Sequence, residues 1–295
     1  MLSRKIKELI ASGTIKIAHV FIIAVFFFMV VVLFIKSWPI LASTPIQNLL
    51  LSSSWHPWNH QFGFFPFIFG SVAVTAIAMI ISAPICLLAA MYLSEYAGKR
   101  LREWMRLLID LMAGIPSVIF GLFGVLTIVP LVSAIGHAFG ISTTGYSLLA
   151  GGVILAIMVF PFITSMSLEI FLAIPIEARE ASLALGTTKW ETVRHILLKT
   201  ARQGIVAAIV LGFARAFGET IAVMMVVGNV PKVARSLFAP AYPLPALIAN
   251  NYGEMMSIPL YDSAMMFAAL LLMLVVGGFS FAAHLVLYRM ERNYR

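Results

Sequence analysis

Six stretches of this chain are apolar for about twenty residues or more, and that pattern constrains its fold more than any other feature. They lie at about residues 17–35, 64–93, 107–135, 146–168, 204–228 and 263–287. The hydrocarbon core of a bilayer is ~30 Å thick and takes roughly twenty helical residues to cross. Inside it each backbone amide must find its partner within the segment, so such a run reads as a helix. The expected fold is an all-α integral membrane protein with six transmembrane helices. Composition agrees: 61% of residues are hydrophobic and 11% are charged, against about 25% charged in soluble domains.

The placement of charge sets the orientation. Sixteen of the twenty Lys and Arg fall in segments 1–16, 99–106, 177–202 and the tail after 287. By the positive-inside rule these are cytoplasmic, so both termini are cytoplasmic and the chain is a multi-pass membrane protein. The net charge of +8 does not point to nucleic acid, because no basic stripe with interleaved aromatics exists. Cys86 is the sole cysteine and lies in an apolar run, which leaves no disulfide framework or thiolate metal cluster.

Residues 2–10 carry Leu2, Ile6, Leu9 and Ile10 at helical spacing, with Arg4, Lys5 and Lys7 on the other face. They read either as an amphipathic helix on the cytoplasmic surface or as a frayed basic tail. The run at 17–35 reads as a retained helix, since no small-residue cleavage pattern follows it. Residues 39–63 read as an extracytoplasmic loop. Pro57 disfavours the helix that would align His56 with His60. Pro84, Pro116 and Pro161 are expected as kinks within spans, and Asp110 is expected to pair with the basic loop before it. Two parts follow: 1–63, with the N-terminal segment, first span and outer loop, and 64–295, a core of five spans with a cytoplasmic loop at 175–200.

Residues 175–229 join two different compositions. The first half is polar, with Glu177, Arg179, Glu180 and Lys189 among Ala178, Ala181, Leu183, Ala184 and Leu185. It predicts a short helix stopped at Gly186. Such a helix either presents an apolar edge to a groove on another protein or rests on lipid headgroups. The second half is apolar but carries Arg215 and Glu219, with Thr220 beside them. Their i, i+4 spacing predicts one shared helix face. A charge near mid-bilayer costs at least ~2.5–3.5 kcal/mol on insertion scales, which marks a functional site by default. The pair reads as an anion contact with its neutralising partner, or as a buried ion pair that fixes helix packing. No G-x-x-x-x-G-K-[ST] loop occurs, and no catalytic constellation stands out. The chain is therefore expected to be no enzyme, and any ATP would be used by a partner.

The stretch E-A-S-L-A-L-G, with Ile196 ten residues after Gly186 and then Leu198, resembles the signature loop of importer-type ABC permeases. That loop runs E-A-A-x-x-x-G, nine residues, I-x-L-P. Glu180, Ala181, Gly186, Ile196 and Leu198 fall on it; Ser182 replaces the second Ala, and Lys199 stands where Pro is common. MYLSEYAGKRLRE, LMAGIPSVIFGLFG and GFARAFGETIAVMMVVGN are similar to the phosphate-specific, PstC-type branch, from about Phe64 to Tyr288. The resemblance implies the type-1 (MetI-like) importer permease fold and phosphate transport across a bacterial plasma (inner) membrane. Glu177, Glu180, Ala181, Ser182, Gly186, Ile196 and Leu198 would then form the ATPase-coupling loop, and Arg215, Glu219 and Thr220 the substrate pathway. It also implies partners: a second, PstA-like permease, a dimer of PstB-like ATP-binding subunits that hold the ATP and Mg, and an extracytoplasmic PstS-like phosphate-binding protein. No cofactor is implied for this chain. Sulfate or molybdate permeases share the R-A/S-x-G-E core and remain an alternative, as does a channel or secondary transporter without ATPase partners.

Overall fold

In the computed structural model, which describes residues 2–254 and 257–293, the chain is helical almost throughout. Six helices are long and apolar enough to cross a membrane: 13–43, 65–96, 117–138, 148–172, 189–217 and 261–285. The side chains of Arg4, Lys5 and Lys7, expected on one face of the N-terminal helix, lie outside the described residues. So do those of Arg289, Arg292 and Arg295 in the basic tail.

The first helix, α1, is Leu2–Ser43, so the backbone of the N-terminal segment is continuous with the first span. That span runs past the expected end near Trp38. It contains Pro39, whose missing amide leaves the helical ladder one link short, and the last helix braces the next link. Ser263 Oγ accepts from the Ile40 amide at 3.2 Å and donates to the Lys36 carbonyl at 2.8 Å, inserting itself into one i, i+4 link. This pins α1 against α13 (Tyr261–Asn293).

Residues 44–64 are more ordered than a plain loop. Helix α2 (Ile46–Leu51) is followed by a hairpin of β1 (Trp55–His56) and β2 (Gln61–Phe62). Trp55 stands edge-on to Phe62, Phe64, Phe67 and Tyr261, with ring centroids 4.8 to 6.4 Å apart. Such pairs contribute ~0.5–1.5 kcal/mol each beyond their burial, so the outer segment is packed as a small aromatic core.

Helices α3 (Phe65–Met91) and α7 (Leu148–Leu172) form the central pair. The third span departs from expectation. Residues 99–113 form a separate helix, α4 (Lys99–Ala113). Its charged and apolar residues alternate at helical spacing, as in a helix lying along a membrane surface. Helix α5 (Ser117–Phe123) starts the span after Pro116 and runs through a π turn into α6 (Val129–Ala138). Pro116 thus does not kink a span but precedes its first turn, where a missing amide costs nothing. Asp110 falls on α4 and enters neither of the ion pairs found among the described residues.

After α8 (Ile176–Ala184), α9 (Lys189–Thr192) passes through a π turn into α10 (Leu198–Phe217), giving one continuous helix. Lys199 sits inside it and keeps the backbone amide that a proline would lack. The fifth span also differs from the sequence reading. It stops at Phe217, and after a break at 218–220 the chain continues as a short separate helix, α11 (Ile221–Val226). The outer connection that follows carries α12 (Leu244–Asn251) before α13.

Candidate functional site

Two places gather the residues singled out by sequence. The first is the cytoplasmic end. Helix α8 begins after Pro175, with Glu177 in its first turn, where a carboxylate opposes the positive end of the helix dipole. Its C-terminus closes at Gly186, whose amide donates to the Leu183 carbonyl at 2.9 Å and whose φ is +82°. A side chain is disfavoured in that left-handed conformation, which is why a glycine stops the helix here.

Glu177, Glu180, Ala181 and Gly186 all lie exposed on this helix and its turn, and Ile196 is exposed on the π turn that follows. Beside them Ile176, Leu183, Leu185 and Trp190 are exposed, Leu185 to 84%. Together they form an apolar ridge rimmed by carboxylates. Ser182 and Leu198 face inward instead. Leu198 packs on the cytoplasmic core cluster. Ser182 Oγ lies 2.8 Å from Thr187 Oγ1 and 3.0 Å from Thr192 Oγ1, which are themselves 3.1 Å apart. The Ser that departs from the family's Ala therefore ties α8 to the start of the fifth span. Thr188 and Glu191 close a capping box at that start.

The residue that fixes this platform to the membrane helices escaped the sequence reading. Arg179, on the inner side of α8, makes a forked ion pair with Glu95 at 2.9 Å. It also donates to the carbonyls of Ile174 and Phe171 at 2.6 and 2.7 Å. Helix C-termini leave carbonyls without intrahelical donors, and Arg179 satisfies those of α7 while holding the end of α3. The side chains are only 18% and 8% exposed. Glu95 lies 84 residues away, on the π turn that ends α3, so no local periodicity announces the pair. Arg102 fastens the same end, donating to the Leu93 and Ser94 carbonyls at 2.7 Å. Arg106 pairs with Glu169 across to α7.

The second place is the break in the fifth span. Arg215 stands in the last turn of α10 and is exposed; its guanidinium lies over the Phe162 ring at 5.1 Å. Along an unbroken helix it sits roughly 20 Å from Arg202. Glu219 and Thr220 fall in the break, where Thr220 Oγ1 donates to the Gly218 carbonyl at 3.3 Å. The sequence expectation of one helix face is thus corrected: the helix ends between Arg215 and Glu219, and among the described residues they form no ion pair. The reading of the two as packing glue falls with it. What remains is a guanidinium without a carboxylate, deep in a membrane helix, where a charge has to meet water, a partner or an ion.

Helix α11 backs this site. It packs on α5 and α7, and a Cβ on Gly121 of α5 would crowd the Ala222 Cα at 3.2 Å and displace the Met225 side chain, so glycine eases that approach. Asn229, at φ +52°, donates from Nδ2 to the Met224 carbonyl at 2.8 Å and closes the helix.

Comparison with known proteins was made on this basis. Residues 82–292 match the family described as binding-protein-dependent transport system inner membrane component. The phosphate transport system permease protein PstC of Xylella fastidiosa is 36% identical over 261 residues, covering 83% of this chain and 80% of that protein. Its namesake in Mesorhizobium japonicum is 33% identical over 299 residues, 96% of this chain and 91% of that one. Among solved structures, a chain of the inward-facing MetNI methionine ABC transporter superposes with a TM-score of 0.58 at 23% identity, over 76% of this chain and 94% of its own length. At that identity the likeness establishes the fold alone: that of a type-1, MetI-like importer permease.

Proposed function

The chain belongs to the family of binding-protein-dependent transport system inner membrane components, and on that premise we propose that it is the permease subunit of an ATP-driven importer passing inorganic phosphate into the cell. The observation that carries the substrate is Arg215, an exposed guanidinium without a carboxylate partner in the last turn of a membrane helix. A planar, permanently charged fork suits a tetrahedral oxyanion, and relatives across most of the chain bear the name of phosphate permeases. Glu219 and Thr220, in the adjoining break, limit how deep a well Arg215 makes for the anion.

The exposed ridge of α8 is the seat of an ATP-hydrolysing, PstB-like subunit. ATP and Mg are held there and not in this chain. Its movements reach α3 and α7 through the Arg179–Glu95 strut, rocking the spans between outward and inward states. A second, PstA-like permease covers the remaining membrane faces. A PstS-like binding protein docks outside, on residues 230–262 and the loop after the first span. The 64–295 part is the permease core in this reading, and 1–63 is an addition to it.

Competition in ATP-dependent uptake by the purified, reconstituted importer tests this. Phosphate uptake that persists under a tenfold excess of sulfate or molybdate is expected. Uptake abolished by sulfate would transfer the reading to sulfate-type permeases, and uptake without any ATPase subunit would end it.

A further inference from the structure

The outer segment that follows α11 is held unusually firmly for a loop. The Ala241 amide donates to the Val227 carbonyl at 3.1 Å, next to a backbone bridge between Gly228 and Ala241, and so closes residues 229–240 into one unit. The amides of Leu148 and Leu149 donate to the carbonyls of Ala239 and Leu237 at 3.0 and 2.9 Å. The first amides of a helix have no intrahelical acceptor, so the loop caps α7 and is fixed by it. Ala234, midway along, is buried in the cluster between α3, α7 and α10.

This anchored loop presents Lys232 and Arg235 to one open cavity of about 530 Å³, whose far wall is Ser53 of the first outer loop. Both cations are exposed, and neither side chain makes an ion pair or hydrogen bond among the described residues. The rest of the lining is small or apolar, and no carboxylate belongs to it. Outer-side Lys and Arg run against the charge bias that orients the chain. Two of them, unneutralised, on one concave wall, concentrate the field inside the cavity and raise the local density of anions.

We propose that Lys232 and Arg235 form an antechamber for an oxyanion at the outer mouth of the pathway, holding it after release by its soluble carrier and before it reaches Arg215. The proposal rests on the reading of the chain as an oxyanion permease and extends it to a second site. A small free anion is favoured over an acidic patch of the carrier. The charges line a hollow rather than a ridge, and Arg offers a fork with Lys as a compact point charge beside it.

The test uses the assembled importer in detergent with a Ser53→Cys variant. Cys86 is fully buried, and modification is read on the peptide carrying position 53. An anionic thiosulfonate should react roughly tenfold faster than a cationic one. Millimolar inorganic phosphate should slow it, and Lys232→Gln with Arg235→Gln should erase both effects. Phosphate uptake should fall several-fold in that double variant even at saturating carrier, beyond any shift in the carrier concentration for half-maximal ATPase stimulation. If sulfate protects and phosphate does not, the antechamber stands and the phosphate assignment above falls. If no oxyanion protects, or if the double variant shifts only the carrier's half-maximal concentration, the proposal is overturned, the second result assigning the cations to carrier docking.

Discussion

Arg215 is where one side chain decides the account. Replacing it by Gln keeps the length and the hydrogen-bonding amide but removes the charge. A contact to a charged ligand is worth about 1.5–3 kcal/mol, so uptake should fall by roughly 10- to 100-fold with assembly intact, measured as labelled phosphate entering vesicles. Exchanging the pair, Arg215→Glu with Glu219→Arg, moves the guanidinium from a helical turn into the break. Because the structure shows no ion pair to preserve, the exchange should abolish uptake, and transport near the wild-type rate would refute the role given to Arg215. That a charge at this place matters was legible from hydropathy alone, since an arginine interrupts an apolar run only at a cost. Its geometry was not. Apolar runs lie on both sides of the Arg215–Thr220 stretch, so hydropathy does not say that α10 ends at Phe217.

Element by element, the same divide recurs. All six spans could be read from the apolar runs, because their length is set by the bilayer. The ends of the first, third and fifth could not. Helix α4 alternates charged and apolar residues and then meets an apolar run without a gap in hydropathy, so only the Gly114–Ile115–Pro116 turn separates them. The coupling helix α8 and its stop at Gly186 were legible from composition and from the resemblance. The Arg179–Glu95 strut joins residues too far apart in sequence to be seen. Two predictions belong here. Gly186→Val places a β-branched residue at φ +82°, costing about 1–3 kcal/mol; a Cβ there would touch nothing within 4 Å, so the effect is purely conformational. ATP hydrolysis should then proceed with reduced phosphate uptake, while Gly186→Asn, better suited to a left-handed turn, should retain more coupling. Arg179→Ala leaves Glu95 buried without its partner, which typically costs ~3–5 kcal/mol. Thermal unfolding of the purified chain should show that loss, and Arg179→Lys should restore only part of it, since an ammonium lacks the fork that reaches Glu95 and two carbonyls at once.

On the scale of the whole molecule, the chain joins a cytoplasmic platform to an intramembrane cation through two packed helices. Those two ends should fail differently. The most direct measurement records phosphate uptake and carrier-stimulated ATP hydrolysis in the same reconstituted vesicles, for the wild type, Arg215→Gln and Gly186→Val. Arg215→Gln should keep the hydrolysis and lose the uptake, because the platform is intact and the anion has no cation to meet. Gly186→Val should lower the phosphate moved per ATP and leave carrier docking unchanged. Arg215→Gln vesicles that import phosphate at the wild-type ratio to ATP would contradict the claim that Arg215 carries the anion across the membrane.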